Sequence, residues 1–199
     1  MTQEDLNEIL AKHKLWLEEK EEGERANLQG ANLQRADMRR ANLQGANLQC
    51  ADMQGANLQC ADMQDANLQC ADMRRADMQG ADMQCADMQC ADMQCADMRR
   101  ADMQGADMQG ANLQCADMQD ANIDYSAWPL WCGSLKAHVD DRIAIQLLYH
   151  TLSVVQHSPY VSENIKRTLL APDVVEVANR FHRVDECGKL EIFNGGANE

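Results

Sequence analysis

The apolar positions of this chain follow three rhythms in succession. Near the N-terminus, Leu6, Ile9, Leu10, His13, Trp16 and Leu17 recur at helical spacing, Thr2 can act as N-cap with Asp5 three residues later, and Gly23 follows the last turn. This spacing predicts an amphipathic helix of about 17 residues. From Ala26 to Tyr125 the rhythm changes to five: Ala, then Asn or Asp, then Leu or Met, then Gln or Arg, then a variable residue, over twenty consecutive phrases that end with Ile123 and Asp124 in the third and fourth slots. Beyond Tyr125 the pattern stops. Trp128, Pro129 and Trp131 suit neither the repeat nor a helix, and helical spacing then returns.

A period of five fits neither regular element. On an α-helix it advances by about 140° and smears the Leu and Met around the cylinder; along a flat strand an odd period sends them to alternate faces. The chain must therefore turn once per phrase, and a turn of about 90° lets four phrases close a square with Ala and Leu or Met inside. In one phrase Ala46 and Leu48 point inward, with Asn47, Gln49 and Cys50 outside. Twenty phrases make five coils of twenty residues, a prism about 24 Å long at the usual strand separation of about 4.8 Å. Twelve of the twenty central residues are Met, which packs as a flexible gap-filler. Only six fifth-slot residues are Gly (30, 45, 55, 80, 105 and 110), so mostly type I-like corners are expected.

Both ends of such a coil expose unpaired backbone and need covering. Residues 1–25 are read as an N-terminal capping helix, 26–125 as the β-helix, and 126–199 as a C-terminal helical cap or dimerisation module. In the last segment Asp140 or Asp141 can cap a helix with Ile143, Leu147, Leu148, Leu152 and Val155 on one face, ended by Pro159. Ser162 can cap a second with Ile165, Leu169 and Leu170, and Pro172 starts a third with Val174, Val177, Ala178 and Phe181. Residues 194–199, with Gly195 and Gly196, are expected to be disordered.

The net charge is −14, with eight acids to four bases in the first 25 residues, fifteen Asp to seven Arg in the repeat, and nine acids to seven bases in the tail. Such a chain repels phosphates and argues against direct nucleic-acid binding. No basic start, cleavage site or membrane-length apolar run is present, so a cytoplasmic protein is expected. Seven of nine Cys share the fifth slot and read as reduced thiols.

The phrase resembles that of the pentapeptide-repeat proteins, which implies a right-handed quadrilateral β-helix with the inward and outward assignment above. The flanks are similar to those of bacterial, partly prophage-associated members, on Trp128-Pro-Leu-Trp-Cys-Gly, Leu147-Leu-Tyr-His, Phe181-His-Arg-Val and Glu186-Cys-Gly. The family includes DNA-mimicking inhibitors of type II topoisomerases, and the resemblance implies no enzymatic activity.

Residues twenty apart stack, so Cys50, Cys70 and Cys90 form one column and Cys95 with Cys115 another, at disulfide-compatible spacing but without convergent Cβ atoms. Asp52, Asp72 and Asp92 stack likewise, as do Asp62, Asp82 and Asp102, and Asp77 and Asp97. Arg39, Arg40, Arg74, Arg75, Arg99 and Arg100 interrupt these columns and relieve like-charge repulsion. In the tail, Cys132, His138, His150, His157, His182 and Cys187 lack the close spacing of zinc ligands, and no phosphate loop, HExxH or GxSxG occurs. Tyr125, Trp128 and Trp131 are expected to plug the last coil. The sequence thus points to a non-enzymatic structural or protein-interaction scaffold with no catalytic, cofactor or metal site. It is expected to bind a protein partner, no nucleic acid and no membrane, and to form a homodimer through residues 126–199 if their apolar helical surface is left uncovered. The alternative is a DNA-mimic inhibitor of a topoisomerase such as DNA gyrase.

Overall fold

The computed structural model of the protein describes residues 1–127, 137, 139–157, 161–180 and 189–191, with the backbone alone at Arg142, His150 and Val154. It falls into two compact units, Met1–His138 and Val139–Glu199, so the N-terminal helix and the repeat share one of them.

In the repeat, each Asn or Asp of the second slot bridges in parallel to the residue twenty positions on, from Asn27↔Asn47 to Asp107↔Ala127. Four phrases therefore make one circuit. The N–H of Leu48 donates to the Asn67 carbonyl at 2.7 Å, that of Cys50 to Gln69 at 2.8 Å, and that of Asn47 back to Ala26 at 3.0 Å. Each phrase thus holds the circuits on both sides, and no continuous strand longer than a single bridge is needed. The corner closes locally as well, with the Ala51 N–H donating to the Leu48 carbonyl at 3.0 Å.

That corner corrects the expected turn type. All twenty fifth-slot residues have positive φ, from 54° at Cys60 to 71° at Gly110, whether glycine or not. A left-handed residue in the third position of a turn is the type II signature, not type I. The cost to a residue with a β-carbon is about 1–2 kcal/mol, but the fifth-slot N–H then points along the axis and bonds the next circuit. An inter-coil bond at almost every corner offsets the local strain.

The interior follows the pattern. Every third-slot Leu, Met and Ile is buried, from Leu28 to Ile123. Ala46 and the later first-slot alanines are buried too, while Ala31, Ala36 and Ala41 are only partly so, because the first circuit has no repeat before it.

Helix α1 (Gln3–Leu17) supplies part of that cover. Thr2 and Asp5 form a reciprocal capping box, as expected. Leu6 and His13 are fully buried, and the Nδ1 of His13 accepts the Ala26 N–H at 3.1 Å. Gln3 docks its carboxamide on the backbone of Asp37, donating to the carbonyl at 2.9 Å and accepting from the N–H at 3.0 Å. The helix ends at Glu18, and left-handed Glu19 makes the turn that the sequence assigned to Gly23. Gly23 is needed for clearance instead. An added Cβ there would lie 2.2 Å from the Trp16 backbone nitrogen, so only glycine lets the returning chain pass.

The second unit holds α2 (Asp141–His157), α3 (Glu163–Leu169) and α4 (Pro172–Ala178). Asp140 caps α2 through the Ile143 N–H at 2.9 Å, Ser162 caps α3, and Pro172 opens α4. Its core is Tyr149, Leu152, Leu170, Val175, Ala178 and Leu190, with Leu148, Val155 and Val174 packed at its edge. Asn179 ties Leu190 into it, accepting its N–H at 2.8 Å and donating to its carbonyl at 3.1 Å. The expected faces hold in part: Leu148, Leu152 and Val155 of α2, Leu170 after α3, and Val174 and Ala178 of α4 lie in or against the core, while Ile165, Leu169 and Val177 are exposed and Tyr149 and Val175 take core positions that the spacing did not assign. Pro159, Phe181 and the 194–199 tail lie outside the described residues.

Candidate functional site

The twenty-residue register sorts every outward residue of the repeat into one of four faces, each named by its second-slot column. The first runs through Asn27, Asn47, Asn67, Asp87 and Asp107, and the second through Asn32, Asp52, Asp72, Asp92 and Asn112. The third runs through Asp37, Asn57, Asp77, Asp97 and Asp117, and the fourth through Asn42, Asp62, Asp82, Asp102 and Asn122. The fourth and fifth slots of each phrase complete its face and corner.

Two bonds fix these side chains. The Oδ1 of each Asn or Asp accepts the N–H two residues on, as Asn47 does from Gln49 at 3.2 Å, an Asx turn built into the phrase. In many phrases the Oδ2 of Asp also accepts the carboxamide of a glutamine one circuit back, as in Gln54 to Asp72 at 2.8 Å, Gln64 to Asp82 at 2.6 Å and Gln89 to Asp107 at 2.6 Å. Neighbouring glutamines link directly as well, Gln49 donating to Gln69 at 3.2 Å. The fourth-slot glutamine is thus the clamp between circuits. Its role was missed in the sequence, where its recurrence two residues after Asp was the available signal.

Arginine replaces that clamp at three positions and pairs within its own phrase. Arg39 grips both oxygens of Asp37 at 2.8 and 2.6 Å, and Arg74 grips Asp72 at the same distances. Arg99 holds Asp97 in the same way. Arg74 and Arg99 also reach Asp92 and Asp117 on the next circuit, each at 3.8 Å, and Arg100 lies 3.9 Å from Asp120. The bond from Arg39 pulls the Asp37 carboxyl down to about 2, and the arginine bonds lower Asp72 and Asp97 in the same direction.

The arginines are not scattered around the prism. All seven, Arg35, Arg39, Arg40, Arg74, Arg75, Arg99 and Arg100, fall on the second and third faces, against eight Asp there. The first and fourth faces, which adjoin, carry Asp62, Asp65, Asp82, Asp87, Asp102, Asp107 and Asp124, with no base. One side of the tract therefore nets −7 and the other −1.

The cysteines stack as the register requires. Cys50, Cys70 and Cys90 share a corner of the first face, Cys95 and Cys115 one of the second, and all seven repeat cysteines are free and exposed. Their sulfurs lean along the axis, since a Cβ built on Gly110 would lie 3.2 Å from the Cys90 Sγ. Among the described residues no three His, Cys, Asp or Glu side chains converge to hold a metal ion. Tyr125 does not plug the tract: it occupies a left-handed corner and is 66% exposed. Its expected partners Trp128 and Trp131 lie outside the described residues, as do Cys132, His138, His182, Cys187 and the side chain of His150. His157 is exposed at the end of α2, its Nδ1 2.8 Å from the Ser153 carbonyl. No helix among the described residues is long and apolar enough to cross a membrane.

Among curated proteins none matches the chain. Among solved structures, it is similar to a pentapeptide repeat protein from the thylakoid lumen of Arabidopsis thaliana, with 29% identity over 49% of this chain and 68% of that one and a TM-score of 0.48. It is also similar to the pentapeptide repeat protein Rfr23 of the cyanobacterium Cyanothece 51142, with 19% identity over 58% and 84% of the two chains and a TM-score of 0.41. Full-length QnrB1, a plasmid-mediated fluoroquinolone resistance protein, matches at 11% identity over 63% and 94%, with a TM-score of 0.22. The family model for pentapeptide repeats, eight copies to a match, fits residues 24–59, 56–94 and 91–124, half of the chain. With the five-residue phrase, the buried Leu and Met centres and the twenty-residue register, that match makes the chain a member of the pentapeptide-repeat family, and its repeat a right-handed β-helix.

Proposed function

We propose that this protein is a non-enzymatic, cytoplasmic interaction scaffold, a prism of five stacked coils that presents a fixed pattern of carboxylates and carboxamides to a protein partner. The observation that carries this reading is the clamp ladder, in which glutamines such as Gln54, Gln64 and Gln89 hold the Asp side chains of the next circuit. Side chains already immobilised lose less entropy when a partner docks. The acidic first and fourth faces favour a basic partner surface. The test is affinity purification from the host with the native chain and with the Asp62→Lys, Asp82→Lys, Asp102→Lys variant. A stoichiometric partner held by the native chain and lost by the variant supports the proposal; equal retention by both, or no stoichiometric partner, overturns it. The same reading includes homodimerisation through the second unit, where Ile165, Leu169 and Val177 are exposed. A light-scattering mass of one chain would remove that part.

A second reading is favoured by the segregation of charge. A DNA mimic needs an acidic surface uninterrupted by bases, and the adjoining first and fourth faces provide one. A duplex presents about 14 charges over the roughly 24 Å of the tract, so the six Asp of these faces that reach solvent, Asp124 being buried, supply less than half that density. Inhibition of gyrase supercoiling at micromolar protein would select this reading over a general scaffold, and full supercoiling activity would eliminate it.

A further inference from the structure

The charge-balanced side of the prism contains a feature that neither reading uses. Arg35 and Arg75 occupy one corner column, two circuits apart, with Gly55 between them. With Arg74, Gln94 and Cys95 they line an open groove of about 330 Å³. We propose that this groove is a binding site for a phosphate-class oxyanion, held between the guanidinium groups of Arg35 and Arg75 above Gly55.

Three observations converge on it. First, the two guanidinium groups have no ion partner among the described residues, in a chain whose net charge is −14. Arg39, Arg74 and Arg99 each grip a carboxylate of their own phrase, and Arg100 lies near Asp120. Second, Arg74 screens the pair from the acidic ladder beside it. It bonds Asp72, reaches Asp92 and also feels the charge of Asp52, so it engages all three Asp of the second face. Third, Gly55 leaves the space between the pair open. The Cγ of Arg35 lies 3.7 Å from where a Gly55 Cβ would stand, so the Arg35 stem passes over Gly55 toward Arg75.

The dimensions suit a tetrahedral oxyanion. Two circuits separate the corner positions by about 9.6 Å, a span within which two arginine side chains can both reach one tetrahedral oxyanion. The flexible stems let the two guanidinium groups adjust to a phosphate or a diphosphate between them. The Gln94 carboxamide, which makes no side-chain bond within the described residues, adds a neutral donor at the groove wall. A planar carboxylate can satisfy one guanidinium in a bidentate fork, whereas a phosphate offers oxygens in both directions at once.

The test is isothermal titration calorimetry of the full chain at low ionic strength, with inorganic phosphate, pyrophosphate and a poly-glutamate peptide as separate probes. Saturable one-site binding of phosphate or pyrophosphate is expected, weakened about fivefold by Arg35→Gln or Arg75→Gln, the upper end for an exposed guanidinium contact, and lost in the double variant. Arg40→Gln and Arg100→Gln, on the third face, should leave it unchanged. Far-UV circular dichroism of each variant establishes that the solenoid is intact. The proposal is overturned if uptake does not saturate, if the third-face variants weaken binding as much as Arg35→Gln, or if poly-glutamate binds while both phosphates do not.

Discussion

A left-handed corner asks the same thing of Cys85 as of Gly80, and the two residues answer it at different cost. Cys85 has φ 56°, a conformation that a small unbranched side chain tolerates and a β-branched one does not. Cys85→Gly should change stability by no more than about 0.5 kcal/mol, because relief of strain offsets the extra freedom of the unfolded chain. Cys85→Val should cost about 1–2 kcal/mol. Denaturant midpoints of the two variants measure the contrast, and equal midpoints would refute the turn assignment. At Asp37 the issue is charge. Its carboxyl is held at about 2 by Arg39, below its ordinary value, so the bond stabilises the fold above the ordinary carboxylate range and is lost as pH falls through the folded value. Arg39→Gln should return the Asp37 titration toward 3.8, read from the side-chain carboxyl shift by NMR; an unmoved midpoint would assign the depression to another group.

At the scale of elements, α1 is attached to the repeat by a histidine that must stay neutral. Burial lowers the pKa of His13, and the charge of Arg25 adds to this, while the Gln44 carbonyl opposes it without reaching hydrogen-bond geometry with Nε2. A depressed folded value means that the unfolded chain takes up protons first, so the attachment is at full strength above about 6.5 and is lost progressively as pH falls below it. Hydrogen exchange at the Ala26 amide, corrected for intrinsic rates, should lose protection as pH falls below about 6.5. His13→Ala should abolish that dependence and cost about 1–3 kcal/mol by leaving a buried N–H unpaired. Helix α1 was legible in the sequence because its cap and apolar stripe are local, and so was the circuit, because Ala46 and Leu48 declare an inside. The corner was not: what rewards positive φ at Cys50 is a bond from its N–H to Gln69, nineteen residues away. The faces of α3 and α4 were legible only in part for a similar reason: Leu170, Val174 and Ala178 pack as their spacing suggests, while Ile165 and Val177 are apolar but exposed, because Tyr149 and Leu190 complete the core.

For the whole molecule, the register converts position in sequence into direction in space. The arginines look dispersed when read in order, and only counting modulo twenty gathers them on two faces. This separates two kinds of deletion. Removing residues 76–80, one complete phrase, should leave a folded tract with a native-like circular dichroism spectrum, but it moves Arg99 and Arg100 by a quarter turn onto the corner of Arg74 and Arg75. Removing only 76–77 places polar residues inside and should abolish cooperative unfolding. If both deletions behave alike, the phrase is not the folding unit. A phrase gained or lost would change what the surface displays without altering what holds it together. Length changes in fives re-index the faces, and length changes in twenties only extend them. The repeat is therefore a fold whose charge pattern can be rewritten by rotation alone, with no substitution at any site.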